Sequence, residues 1–288
     1  MDNFLPNGKA TRVVGVLCTY CGREETPENP LTDDHVVARR FVPKGSLDNC
    51  WSVIVRACRQ CNNAKSDLED DISAITLLRA SKARKLNRDC QTHAQRKVTN
   101  STSRLTRKAI ADSFVKDEVS GEILGGASVS FGFVGPPQIE PERVFKLAAM
   151  QLQAFYYLIT FNSSIGRGSA IPGEICFVGE VDFADWGNRT IRAFADITRP
   201  WSTCLHGYGA QGFFRIIIRR QENDSAIRAF ALEWNKSRRI VGFFGAPELM
   251  DAQAEGLPKL EWENAGPGLR FRVETPISEE DDILFDFD

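Results

Sequence analysis

CRQCNNAKSDLED, residues 58–70, carries the second of two identical knuckles; the first is CTYC at residues 18–21. Two residues between cysteines let both sulfurs turn toward one ion, and zinc takes four thiolates as a closed tetrahedron. Cys18, Cys21, Cys58 and Cys61 are therefore expected to hold a structural zinc, with 36 residues looping between the knuckles. Two knuckles in one short segment read as metal ligands, not as chance thiols. The first residues lack the pattern of a secretory signal, so the chain reads as cytoplasmic, where cysteines are seldom paired as disulfides. Cys50 reads either as a packed thiol or as a substitute ligand.

The residues between and beside the knuckles carry the chemistry. Asp34-His35 sets a carboxylate next to an imidazole, Asn49 follows in SLDN, and Asn62 comes directly after the last cysteine. Histidine titrates near neutrality and can take a proton from water. A magnesium-like ion prefers oxygen ligands and keeps several waters, so one carboxylate and one amide oxygen suffice as protein ligands. Each residue alone has a plainer reading. A lone histidine near a strand is a core or surface residue, Asn49 a turn residue, Asn62 a helix N-cap and Lys65 a solvent-facing cation. Successive strand residues also point to opposite faces, so Asp34 and His35 share a site only where the strand bends or frays.

Taken together, Cys-x-x-Cys, Asp-His, Asn and Cys-x-x-Cys-Asn-x-x-Lys resemble the HNH endonucleases over residues 18–70. The resemblance implies a ββα-metal fold around one catalytic ion. It casts His35 as general base and Asn49 as the residue that orients it. Asp34 and Asn62 become ligands of a catalytic Mg2+ or Mn2+, with adjacent Asn63 as the alternative to Asn62, which the spacing to Lys65 favours, and Lys65 becomes a group near the phosphate. Glu69 and Asp70 stand further along the same helix as outer groups. Its implied substrate is nucleic acid, foremost double-stranded DNA, in settings such as phage defence, restriction or mobile elements. Two departures stand out: the proline usual soon after Asp-His waits until Pro43, and the last motif position is Asn62 where histidine is common.

The 288 residues as a whole have the balance of a soluble globular chain, 42% hydrophobic and 26% charged, and offer no apolar run long enough for a membrane helix. Net charge is -2, but residues 1–110 carry +7 and residues 111–288 carry -9. The positive excess peaks where Arg79, Lys82, Arg84, Lys85 and Arg88 follow the zinc segment, and with Arg39 and Arg40 these are candidate phosphate contacts. The plainer reading of such a run is a solvated helix face.

The expected architecture is α+β. A zinc-stapled ββα-metal domain (1–90) leads through a basic, polar linker or solvent-facing helix (91–120) to a larger α+β domain (121–277). Val144, Leu147, Ala148, Leu152, Phe155 and Ile159 fit one face of a helix over about 140–161. Residues 213–219, 226–234 and 239–244 read as an antiparallel meander. That domain shows no catalytic signature and is read as a place for recognition, self-association or a regulatory partner. The end, SEEDDILFDFD (278–288), is acidic with interleaved apolar residues and is expected to be disordered when free or to cover a basic face. Besides an endonuclease, the pattern fits a zinc-dependent nucleic-acid-binding or docking protein without cleavage.

Overall fold

The computed structural model describes residues 9–123, 127–222, 226–266 and 269–287. β1 (Ala10–Arg12), β2 (Leu31–His35) and β3 (Ser52–Cys58) form a small sheet in the order β1-β3-β2. β3 is central because SVIVRAC is rich in β-branched residues and buried along most of its length. It runs parallel to β1 and antiparallel to β2, which sets Asp34 opposite Val55 and His35 opposite Ile54.

α1 (Arg59–Ala83) starts directly where β3 ends, with Cys58 as its N-cap residue. Leu68, Ile72, Ile75 and Leu78 are all buried. Ser73, Thr76 and Asp71 are buried too, so the helix is wrapped on nearly every side. A helix covered all round lies inside a molecule, not on its surface. Its buried polar groups are answered from afar: Asn235 Nδ2 donates to Thr76 Oγ1 at 2.9 Å and Ser237 Oγ donates to the Thr76 carbonyl at 2.8 Å.

α2 (Arg88–Asn100) occupies the stretch read as linker or solvent-facing helix. Asn87 caps it by accepting from the Cys90 amide, and Ala94 and Val98 turn inward. β4 (Val115–Ile123) and β5 (Ala127–Gly135) form a separate hairpin, and α3 (Pro141–Ile159) follows with its apolar face buried as expected. The main sheet comes next. β6 (Glu174–Asp182) leads through α4 (Arg189–Thr198) to β7 (Ser202–Gly209), β8 (Phe214–Arg220), β9 (Ile227–Trp234) and β10 (Arg238–Gly245). Its order is β6-β10-β9-β8-β7 and every pairing is antiparallel. The three strands of the expected meander are its centre. Between β8 and β9, Gln221-Glu222-Asn223-Asp224 has a turn-like composition, and Asn223 and Asp224 lie outside the described residues. α5 (Pro247–Glu255) and the hairpin β11 (Glu263–Gly266) and β12 (Leu269–Phe271) complete the chain's regular elements.

Both faces of the main sheet are covered, which is why β8 to β10 read as nearly continuous apolar runs. Ile216, Ile218, Leu232, Trp234 and Ile240 pack on one side with Ile72 and Ile75 of α1, Leu152 and Phe155 of α3, and Val36 and Val53 of the small sheet. Trp51 stacks on Phe155 with centroids 5.9 Å apart and lies so close to β7 that a Cβ at Gly207 would overlap its ring. Ile217, Ala231, Val241 and Phe243 face the other side, against Trp186, Phe194 and Trp201.

One hydrophobic cluster runs across the expected boundary between a 1–90 unit and a 121–277 unit, because α1 packs in it with α3 and the main sheet. Of the two states expected for the acidic end, free or covering a basic face, the structure has the second. Leu284 and Phe285 are buried, Asp282 pairs with buried Arg239, and Phe287 stacks on His206 at 4.0 Å. Alternating acidic and apolar residues suit a sheet face that presents both arginines and aromatic rings. Among the described residues no helix is long and apolar enough to cross a membrane.

Candidate active site

The four knuckle sulfurs converge. All Sγ atoms of Cys18, Cys21, Cys58 and Cys61 lie within 4.8 Å of one another, and those of Cys21 and Cys58 are 3.9 Å apart. A tetrahedron with zinc–sulfur bonds of about 2.3 Å requires sulfurs about 3.8 Å apart, so the residues fit the ion. The first knuckle is shaped by its backbone: the Gly22 amide donates to the Cys18 carbonyl at 2.8 Å, and Gly22 has φ 71, in the left-handed region that suits glycine. The Thr19 amide donates to the Arg56 carbonyl at 2.9 Å and ties this knuckle to β3. The second knuckle needs no separate turn, since Cys58 ends β3 and Cys61 lies in the first turn of α1. Cys50 is half-buried and stands outside the quartet. Burial, with Cys18 next, pushes the Cys61 thiol far up. Burial also raises the Cys18 thiol, so without a metal these two thiols resist ionising.

One helical turn below the quartet, α1 presents Lys65 and then Glu69, each four residues after the last. Lys65 is 1% exposed and its ammonium meets three acceptors: Asp34 at 3.2 Å, Glu69 at 3.0 Å and the main-chain carbonyl of His35 at 2.8 Å. Tyr20, between the first two cysteines, donates its hydroxyl to Asp34 Oδ2, the oxygen that Lys65 meets at 3.2 Å. Burial, then the charge of Asp34, raises the Tyr20 phenol well above its ordinary value and keeps it a donor. Glu69 also accepts from the Ala38 amide at 3.3 Å; burial raises its carboxyl, against the pull of Lys65. Asn62 sits one position round the helix and turns its amide to Thr32 Oγ1 at 3.4 Å. Thr32 and Asp34 share one face of β2, about 7 Å apart.

His35 ends β2. It is half-buried, and its Nδ1 is buried with no hydrogen-bond partner. Burial, followed by the charge of Arg39, lowers its pKa, with Asp34 opposing. The neutral imidazole is therefore the favoured form.

Residues 18–68 match the family model described as HNH endonuclease. The amino-terminal region is an HNH domain. No curated protein and no solved structure matches the chain.

Within the HNH domain the structure brings Asp34, the His35 main chain, Lys65 and Glu69 together, and sets Asn62 of α1 beside β2, against Thr32 rather than Asp34. The expected contact between Asn49 and His35 is absent. Asn49 is exposed in a turn at φ 58 and makes no hydrogen bond among the described residues. Lys65, expected near a phosphate, is instead the buried counter-ion of Asp34. The oxygen donors suit a hard divalent ion in kind, but Asp34 is held by Lys65 and Tyr20. Tyr20 is the site residue that the sequence reading missed; no spacing rule announces a ring folding back from a zinc knuckle.

The basic residues beyond the HNH domain also divide. Arg39 and Arg40 are exposed close to His35. Arg79 lies fourteen positions past Lys65, about 21 Å along the helix. It pairs with Asp182 and donates to the Pro137 carbonyl at 3.1 Å. Arg84 donates to the Lys236 carbonyl at 3.1 Å and lies over the ring of Phe183. Lys82 lies over Phe114. Arg79 and Arg84 thus fasten α1 to the sheet and are withdrawn as phosphate contacts. Lys85 and Arg88 remain exposed.

Proposed function

We propose that this chain is an endonuclease that hydrolyses phosphodiester bonds of nucleic acid, foremost double-stranded DNA, with Mg2+ or Mn2+ as cofactor. The observation that supports it is the position of Asp34-His35: the end of β2, packed against the first turns of α1, inside a thiolate-clamped ββα unit. In this reading the neutral His35 imidazole takes the proton of the attacking water. Asp34 and Asn62 would hold the divalent ion, which would supply positive charge at the reacting phosphate. Tyr20 fixes the orientation of the Asp34 carboxylate, and Glu69 holds Lys65 in place. Arg39 and Arg40 receive the flanking phosphates.

The Lys65–Asp34 pair favours a second reading, a zinc-stapled nucleic-acid-binding module without cleavage, since the carboxylate already has its cation. A plasmid-nicking assay separates them. The endonuclease nicks with Mg2+ or Mn2+, and His35→Ala abolishes nicking while zinc stays at about one per chain. Binding of plasmid without nicking under either metal selects the second reading.

A further inference from the structure

A cleft of about 810 Å³ opens beside the candidate site. Its walls are the segment after β2, the second and third turns of α1, and one face of α2. Six cationic side chains line it against three carboxylates. The carboxylates are already answered: Asp67 pairs with Arg104 and Arg143, Asp70 with Arg104, and Glu69 with Lys65. Arg39, Arg40, Lys44 and Arg96 have no carboxylate within ion-pair distance among the described residues. His93, to which the sequence reading gave no role, lines the same wall, and its Nε2 is buried without a partner.

We infer that this cleft, with α2 as its far wall, is the seat of the sugar–phosphate backbone of a nucleic-acid duplex. The inference rests on the proposed function for the kind of substrate and adds where that substrate lies. Unpaired cations on two facing walls, Arg39, Arg40 and Lys44 after β2 and Arg96 on α2, suit a chain of phosphates better than one small anion. No Phe, Tyr or Trp lines the cleft. Proteins that hold single strands use such rings as stacking platforms, so the lining favours a backbone whose bases remain paired. The Lys97 ammonium is lowered to about 8 by burial, with Arg40 adding repulsion against the pull of Asp70 and Glu69; an entering phosphate relieves that cost. The cleft also leads to the chemistry. Ala38 and Glu69 are part of its lining, and Glu69 is one ion pair from Lys65 and two from Asp34.

The test is equilibrium binding by the full chain carrying His35→Ala, without added divalent metal, to a fluorescent DNA duplex and to one of its strands alone. Potassium chloride is varied throughout. The duplex is expected to bind more tightly than the strand. Replacing both Lys44 and Arg96 by alanine is expected to lower the slope of log affinity against log salt by about 2, close to 0.9 per lost phosphate contact. Both side chains are exposed and unpaired, so the melting temperature should not move. An unchanged slope, or tighter binding of the single strand, overturns the inference. Nicking by the parent chain is scored separately. Duplex binding with the expected slope but no nicking upholds the cleft and removes hydrolysis. Nicking with an unchanged slope upholds hydrolysis and removes the cleft.

Discussion

Lys65 is the residue on which the site's electrostatics turn. A buried ion pair adds little net stability while intact, but removing one partner strands the other. Lys65→Met leaves Asp34 and Glu69 facing each other without a cation, and is expected to cost about 3–5 kcal/mol in urea denaturation. Adding Glu69→Gln should recover part of that loss, because one of the stranded charges is gone. A loss no greater than that of a surface lysine would show that water reaches the pair. The cysteine quartet was legible in the sequence, because fixed spacing within two knuckles leaves few other uses for it; the use of Lys65 as counter-ion of Asp34 was not, since its spacing pointed to a phosphate. Nor were the uses of Asn49 and Tyr20. Asn49 tolerates a left-handed turn without any catalytic task, and that is the use this chain makes of it. The Tyr20 contact depends on how the knuckle folds against β2, which no local pattern encodes.

At the scale of elements, periodicity read well wherever one face is buried. α3 and β8 to β10 came from apolar spacing alone. α2 was harder, since only Ala94 and Val98 anchor it in an otherwise polar run. At the basic end of α1 a charge run looks the same whether it stays exposed, as Lys85 and Arg88 do, or meets a protein carboxylate, as Arg79 does. Its partner Asp182 lies over a hundred residues away in the chain. The two uses separate by experiment. Arg79→Ala removes charged hydrogen bonds to Asp182 and Pro137, and is expected to destabilise the fold by on the order of 2 kcal/mol. It should leave the salt slope of duplex binding untouched. A lowered slope with unchanged stability would return Arg79 to the nucleic-acid face.

For the whole molecule, the carboxyl-terminal segment behaves as a strap. Phe285 is 2% exposed beneath the guanidinium groups of Arg215 and Arg239. Phe285→Ala is expected to cost about 3–5 kcal/mol, measured by chemical denaturation. A free tail would show no change. The strap also gives the fold an acid limit. Burial, then Arg215 and Arg219, lowers His206 from 6.5 to about 4 beneath Phe287, with the Asp286 carbonyl taking a hydrogen bond from Arg219. The unfolded chain binds the proton first, so this contribution is complete above about pH 6.5 and drains away as pH falls toward 4. His206→Gln should flatten stability across that window; a wild-type curve already flat there would discount the histidine.

The long helix α1 begins at the thiolate cluster and ends beneath the strap, and nothing between those points is free to part. Its flanks are apolar on the side where a nuclease ending at residue 90 would have to meet water. Such a truncated protein, although it keeps every motif residue, is expected to emerge as a sticky remnant that aggregates even with zinc supplied. Shortening this enzyme candidate to its recognisable portion would discard the surface on which that portion stands.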